Sequence, residues 1–271
     1  VHAIGIAGSL GAGLMAAQEG AMVKRLHSGR AAQAGVLAAQ LSAKNFTGIQ
    51  NIVEADYGGF LSSFSGKNDF NRSIRNLHKE WECMNTGINP YASVTSIHTA
   101  LDCLKNIMEK NNISVKNIKN IKAKISHPTY VHCAWNYKNH NITSAQMNIY
   151  YGLALIALEG ELFVNQFSKD KISNPEILNF MKKITAEVDP KIESLGHEFR
   201  HMASIELTTN DNKKFNHTEK YRKGSPENPL TKDQIISKFK SLASYSYDET
   251  QINNIREKID NIELSNNIEN L

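Results

Sequence analysis

Residues 202–221, "MASIELTTNDNKKFNHTEKY", decide the fold class of this chain. Apolar and polar residues alternate on both sides of Asn210-Asp211-Asn212, which is typical of two strands joined by a turn. A second segment, "VKNIKNIKAKIS" at 115–126, alternates lysine with isoleucine and predicts a half-exposed strand. These strands interrupt a chain whose other patterns are helical.

The helical patterns lie on both sides of these strands. Alanine-rich and amphipathic spacing predicts helices before and after the central segment. The predicted helical segments are 29–45, a short helix within 46–60, the end of 89–111, 143–160, 174–188, 231–243 and 248–263. The order predicts an α+β protein, with a helical body and an α+β domain inserted into it.

Composition excludes several classes of protein. The chain has 271 residues, a mass of 30.3 kDa and a formal net charge of +4. Its basic residues are spread along the sequence, so we expect no nucleic-acid partner. No apolar run reaches membrane-spanning length, and no signal peptide is predicted. Three cysteines without Cys-x-x-Cys spacing (Cys83, Cys103, Cys133) indicate a reducing, cytoplasmic location.

The chain opens on an apolar segment rich in small residues, "VHAIGIAGSLGAGLMAAQEGAM". Such a segment is typical of a protein core and not of a chain terminus. The pattern therefore predicts that Val1 lies partway through a fold. The glycines at 5, 8, 11 and 13 fit neither G-x-G-x-x-G nor a lysine-containing phosphate loop. They favour close helix packing over nucleotide binding.

The segment "HEFRH", 197–201, matches the His-Glu-x-x-His pattern of zinc peptidases. That pattern binds zinc only on a long helix, where His197 and His201 share one face. Gly196 precedes it and an alternating strand follows directly. The context therefore favours a solvent-facing junction between a helix and a strand, and we expect no metal site here.

Three further histidines, His127, His132 and His140, lie close together in sequence. Their spacing matches no tetrahedral zinc pattern, and no cysteine pair accompanies them. Polar residues near a cleft or on the surface are the favoured interpretation.

Lys24 and His27 are three residues apart near the start of a predicted helix. At that spacing both side chains face the same way and could present cationic donors to a carboxylate or phosphate. A basic helix end with solvated side chains is the alternative that this pattern leaves open.

The run that contains Lys24, "GAMVKRLHSGRAAQAGVLAAQLSAKNFTG" at 20–48, resembles the MmgE/PrpD family. The resemblance continues through "NPYASVTSIHTALD", "TSAQMNIYYGLALIALEGELFVNQF", "EVDP" and "RKGSPENPL", in the same order. It implies an all-helical domain with a smaller α+β lid domain inserted, and with the N-terminal part of the helical domain missing. The implied division is 1–83 helical domain, 84–224 lid and 225–271 helical return.

The resemblance also implies chemistry on a small polycarboxylate. A proton moves to or from a carbon next to a carboxylate, with dehydration of the 2-methylcitrate type, decarboxylation or epimerisation as the result. No metal or organic cofactor is implied. A homodimer formed through the helical domain is the expected assembly.

Residue roles follow from the same resemblance. Lys24 falls on the active-site lysine of K-x-x-H-x-G, as a catalytic and substrate-binding residue. His27 belongs to the same motif, as a substrate-binding residue or as a structural residue behind Lys24. Tyr130 falls on a lid tyrosine that faces the cleft, and His98 on a histidine that opens the lid helix and orients or binds substrate.

The chain departs from the family pattern at three positions. Asn89 stands where many relatives carry lysine, and Val94 and Thr95 where a basic residue or histidine is common. The family's acid/base residues fall upstream of Val1. These departures indicate a substrate with fewer charges than a tricarboxylate, or reduced activity. The alternatives are a piece of a complete enzyme, a chain completed by a partner, and a non-catalytic binding subunit.

Overall fold

The computed structural model describes residues 1–11, 13–19, 21–65, 69–138 and 141–264. The α-helices are α1 His2–Ser9, α2 Val23–Ala43, α3 Phe60–Phe64, α4 Phe70–Ile74, α5 His98–Lys110, α6 His127–Cys133, α7 Ile142–Met147, α8 Ile149–Glu159, α9 Lys169–Ile172, α10 Pro175–Met181, α11 Pro190–Ser194, α12 Lys232–Ala243 and α13 Glu249–Asp260. The strands are β1 Ile118–Ile125, β2 Ile184–Val188, β3 Ala203–Thr209 and β4 Lys214–Glu219. This mixture of helices and one sheet confirms the α+β class.

The sheet has the order β2-β1-β3-β4. β1 runs parallel to β2 and antiparallel to β3, and β3 and β4 form the predicted hairpin. Asn212 in its turn has φ of 64°, a left-handed conformation that asparagine tolerates better than most residues. The strand predicted within 115–126 and the hairpin predicted within 202–221 are both confirmed.

The main core lies between the sheet and α5 and α8. On β1, Ile118, Ile121 and Ile125 are fully or almost fully buried, as the alternating sequence requires. α8 is apolar around most of its circumference and buried along nearly all its length, which is typical of a helix enclosed by other elements. The core therefore belongs to the segment between Ile97 and Leu207.

Three predictions about helices were wrong in detail. Residues 174–188 form α10 and then β2, because Ile184 pairs with Ile121 and extends the sheet. Residues 143–160 form two helices separated at Asn148, whose buried side chain accepts hydrogen bonds from the backbone of Tyr150 and Tyr151. Residues 46–59 form turns in place of the predicted short helix.

Close packing near the N-terminus depends on glycine. A Cβ added to Gly5 would lie 2.1 Å from the carbonyl oxygen of Ile49, and one added to Gly48 would lie 2.4 Å from the oxygen of His2. Gly8 meets the side chain of Ile52 in the same way. The interpretation of these N-terminal glycines as packing positions is confirmed for Gly5 and Gly8.

Hydrogen bonds join the flanking helices to the central segment. Arg25 on α2 donates to the side chain of Gln146 on α7. Lys238 on α12 donates to the backbone oxygen of Asn89 at 2.7 Å. These contacts bring the start of α2, the loop before α5 and the middle of α12 to one place. Among the described helices, none combines the length and apolarity needed to cross a membrane.

Candidate functional site

Lys24 lies in the first turn of α2 and lines an open cleft of about 370 Å³. Arg25 beside it lines the same cleft. Two cations in the first turn of a helix face the positive end of its dipole, an arrangement that costs free energy unless an anion is close. The first turn of α2 is thus a strongly positive wall.

Three other elements complete this cleft, which we call the lysine cleft. The loop before α5 contributes Asn89 and residues 91–94, α7 contributes Thr143, Gln146 and Met147, and α12 contributes Lys238 and Leu242. Phe163 and Val164 close one side. The described lining residues include three cations and no Asp or Glu. Such a surface attracts an anion and repels a cation.

A second cleft of about 570 Å³ shares Val94 with the lysine cleft. Its walls include Met15, residues 94–96, the start of α6, and Arg200 and His201. We call it the histidine cleft, because His127, His132 and His201 all line it. No carboxylate is present among its described lining residues either.

His132 connects the two clefts electrostatically. Partial burial lowers the pKa of its imidazole, and the positive charge of Lys24 lowers it further. The Nδ1 atom lies 3.4 Å from the hydroxyl of Ser96. His132 is therefore held neutral close to the charge of Lys24, the state that a proton acceptor needs.

His201 presents a similar group to the histidine cleft. Burial, followed by the positive charges of Arg200 and Arg222, lowers the pKa of His201 to about 4. Its Nδ1 is buried and has no hydrogen-bond partner among the described residues. A neutral imidazole with one uncommitted nitrogen results.

The structure brings only part of the predicted site together. His27 lies on the same helix as Lys24 and is half-buried against Gly13. Tyr130 on α6 is 36% exposed but lines neither cleft. The catalytic role of Tyr130 stays a prediction.

His98 lies beneath the lysine cleft and does not line it. The residue is fully buried at the start of α5, and its Nε2–H donates to the carbonyl of Ser93 at 3.2 Å. Its Nδ1 has no partner among the described residues, and burial lowers the pKa of His98 to about 4. The ring meets Tyr91 edge-on, with centroids 5.2 Å apart. In this position His98 supports the loop that forms one wall of the cleft.

The zinc-peptidase pattern has no helix to present it. His197–Phe199 is a single 3-10 turn after Gly196, and β3 begins at Ala203. A guanidinium nitrogen of Arg200 lies 3.0 Å from the Nδ1 of His197. This confirms the predicted junction between a helix and a strand. His140, of the other histidine group, lies outside the described residues.

Sequence patterns did not identify Arg25 or Lys238 as cleft residues. They also did not predict that His132 and His201 line the same cleft. Arg25 had a signal, since it adjoins Lys24 in the positive first turn. Lys238 had none, because 149 positions separate it from Asn89, the residue it contacts. His201 belongs to the zinc-like pattern, which predicts only a surface junction, whereas its side chain lines the histidine cleft.

Known proteins resemble this chain over nearly its whole length. Cis-aconitate decarboxylase of Aspergillus terreus is 26% identical over 272 residues, covering 95% of this chain and 55% of the relative. The cis-aconitate decarboxylase-like protein oryM of Aspergillus oryzae is 27% identical over 99% of this chain and 58% of its own. Human cis-aconitate decarboxylase is 23% identical over 86% of this chain and 48% of its own. The chain thus spans about half the length of the curated relatives it matches.

Two family models match the chain in succession. The MmgE/PrpD N-terminal domain matches residues 1–73, and the MmgE/PrpD C-terminal domain matches residues 91–264. The second match alone covers more than half of the sequence. The chain belongs to the MmgE/PrpD family.

Proposed function

We propose that this chain belongs to a lyase that acts on a small polycarboxylate, and that the lysine cleft holds the substrate. The observation that carries the proposal is the lining of this cleft, where Lys24, Arg25 and Lys238 meet without a described carboxylate. Charged hydrogen bonds to carboxylates are among the stronger polar contacts in proteins. The relatives named as cis-aconitate decarboxylases support the substrate class.

The proposed chemistry is proton transfer at a carbon next to a carboxylate. Loss of one carboxylate as carbon dioxide breaks its bond to carbon and leaves the electron pair shared with a carbon next to a second carboxylate, which an acid then protonates. Dehydration and epimerisation begin with removal of a proton from such a carbon. In each case negative charge spreads toward the neighbouring carboxylate, and the ammonium of Lys24 stabilises that charge.

His132 is the described group that suits the proton transfer. It is neutral, half-buried and close enough to Lys24 for the lysine charge to lower its pKa. His132 lines the adjoining histidine cleft, and we propose that the reacting carbon of a ligand bound at Lys24 lies toward it. Tyr130 keeps its predicted catalytic role within the proposal, with Tyr130→Phe as its test.

Within the lyases, decarboxylation is our first proposal because the relatives carry that name. Dehydration of the 2-methylcitrate type is the second proposal, since it also transfers a proton at a carbon next to a carboxylate. We further propose that 84–224 act as a lid on the helical body, that the protein is a cytoplasmic homodimer, and that neither metal nor organic cofactor takes part.

The test incubates cis-aconitate or 2-methylcitrate with the purified chain, with its Lys24→Gln variant or with its Lys44→Gln variant. Proton NMR follows the loss of each substrate. Lys44 lies just past the other end of α2 and serves as the matched control. We expect turnover by the chain and by Lys44→Gln, and at least a hundredfold loss in Lys24→Gln. Equal turnover by Lys24→Gln would contradict the proposal.

One outcome of the same experiment favours a different class of function. Saturable binding of cis-aconitate that depends on Lys24, with no turnover by this chain, would favour a binding function over catalysis by these residues alone. Absence of binding would contradict both functions.

A further inference from the structure

Lys238 reaches the lysine cleft from a different part of the chain than Lys24. It lies in the middle of α12, is half-buried, and lines the cleft beside Leu242. Its ammonium donates to the backbone oxygen of Asn89 at 2.7 Å. An ammonium has three N–H groups, so this bond leaves donors for another acceptor.

The three cations of the lysine cleft differ in how many of their N–H donors are already hydrogen-bonded to other residues. Arg25 is already hydrogen-bonded to Gln146. Lys24 makes no side-chain hydrogen bond or ion pair with any described residue, and Lys238 has only the carbonyl of Asn89. Two lysines on separate elements therefore face one cleft with unused donors.

The acidic residues near Lys238 do not neutralise it. Lys238 also borders a neighbouring cleft that contains Asp102 and Glu161. Asp102 accepts from the hydroxyl of Tyr91 at 2.7 Å and from the backbone N–H of Lys223 at 3.2 Å. No carboxylate of the described residues lies within ion-pair distance of the Lys238 ammonium. Its charge remains available to a ligand.

The geometry points to Lys238 as a second carboxylate-binding residue, which holds the end of the ligand that Lys24 does not hold. This inference rests on the proposed function and deepens it. Two cations on two elements select ligands with at least two carboxylates. Asn89 stands where many relatives carry lysine, and this missing charge predicted a substrate with fewer charges. Lys238, which is hydrogen-bonded to Asn89, supplies a positive charge at the same place in the cleft.

The test measures binding of three probes by NMR titration or calorimetry: propane-1,2,3-tricarboxylate, glutarate and butyrate. Lys238→Gln should weaken binding of the tricarboxylate and of glutarate roughly tenfold or more, the effect expected for a lost charged hydrogen bond. Butyrate binding should stay unchanged, since a single carboxylate occupies Lys24. Lys238→Arg should retain most of the affinity, and Lys240→Gln on the same helix should match the parent chain.

The outcomes separate this inference from the proposed function. If Lys24→Gln weakens all three probes and Lys238→Gln weakens none, Lys238 is structural and the proposed function survives. If neither variant changes the binding of any probe, or no probe binds, both are overturned. An equal loss for butyrate and the tricarboxylate in Lys238→Gln would also overturn the inference, because a distorted cleft would explain it.

A second measurement decides the matter if Lys238→Gln fails to fold. Acetic anhydride acetylates exposed amines, and peptide mass spectrometry reports the extent at each lysine. Saturating propane-1,2,3-tricarboxylate should protect Lys238 several-fold in the unmodified chain, whereas butyrate should not. Equal acetylation of Lys238 with and without the tricarboxylate would overturn the inference.

Discussion

The ammonium of Lys238 lies 2.7 Å from the backbone oxygen of Asn89, a residue 149 positions earlier in the chain. The contact joins α12 to the loop that enters α5. Because that loop lines the lysine cleft, the hydrogen bond holds a third cation in the cleft that the first turn of α2 also lines. The positive character of the site thus depends on residues from three separate parts of the sequence.

His98 makes the stability of the fold depend on pH. Its folded pKa is about 4 against an ordinary 6.5, mainly because of burial, with Arg222, His201 and Lys238 contributing. The unfolded chain therefore binds a proton first, so stability is full above pH 6.5 and is lost as pH falls toward 4. Between pH 7 and 5 we expect His98 to account for about 2 kcal/mol of lost stability.

Urea unfolding at the two pH values checks this prediction. His98→Gln keeps a donor for the carbonyl of Ser93 and cannot titrate, so its loss of stability should be smaller by about 2 kcal/mol. His201 has a similarly lowered pKa, and His201→Gln should reduce the pH dependence as well. An unchanged pH dependence in His98→Gln would show that His98 titrates equally in both states.

Among the helix caps of the described residues, we expect Asn148 to be the costliest to remove. Its side chain accepts from the backbone of Tyr150 and Tyr151 at 3.0 and 3.1 Å and donates to the oxygen of Trp135 at 2.8 Å. Asn148→Ala removes the cap of α8 and takes the donor away from the half-buried Trp135 carbonyl, so we expect about 2–4 kcal/mol of lost stability.

Asn174 offers a matched control for the Asn148 variant. It caps α10 by accepting from the backbone of Glu176 at 2.8 Å, in an exposed position. Asn174→Ala should cost about 1 kcal/mol by chemical denaturation. Equal losses in the two variants would mean that the half-buried hydrogen bond to Trp135 contributes nothing.

Two glycine-to-alanine substitutions should act in opposite directions. A Cβ at Gly5 would lie 2.1 Å from the backbone oxygen of Ile49, so Gly5→Ala must move α1 and should destabilise the protein. Gly35 lies within α2 with nothing within 4 Å of the added atom, so Gly35→Ala should raise stability by about 0.5–1 kcal/mol. Thermal unfolding of both variants checks this prediction, and destabilisation by Gly35→Ala would contradict it.

Local patterns predicted the elements that one segment determines by itself. The alternation in 202–221 was sufficient for the hairpin, and the Lys/Ile alternation for β1. Residues 184–188 were predicted as helix because they continue the apolar spacing of α10, and only the neighbouring Ile121 makes them a strand. The break at Asn148 comes from its side chain capping the backbone of Tyr150 and Tyr151, and the apolar pattern of 143–160 continues through this cap.

The candidate site divides in the same way. Lys24 could be found from its motif within one helix, because the family resemblance and the helix spacing both include it. Lys238 and His201 acquire a role only when the chain folds and brings distant elements to the clefts. His98 lies in a segment that resembles the family, and the resemblance predicted that it binds or orients substrate. The residue is fully buried, and this burial depends on tertiary packing that a local sequence pattern does not show.

Deuterium uptake from heavy water tests the central claim most directly, because decarboxylation ends with a proton transfer to a carbon next to a carboxylate, and dehydration and epimerisation begin with a proton transfer from such a carbon. The chain is incubated with a polycarboxylate such as propane-1,2,3-tricarboxylate or cis-aconitate, and deuterium next to the carboxylates is measured by NMR and mass spectrometry. We expect deuterium uptake into substrate or product with the chain and with Lys44→Gln, and its loss with Lys24→Gln. Uptake that persists unchanged with Lys24→Gln, or no uptake with any polycarboxylate, would contradict the proposed role of Lys24 and the proposed chemistry.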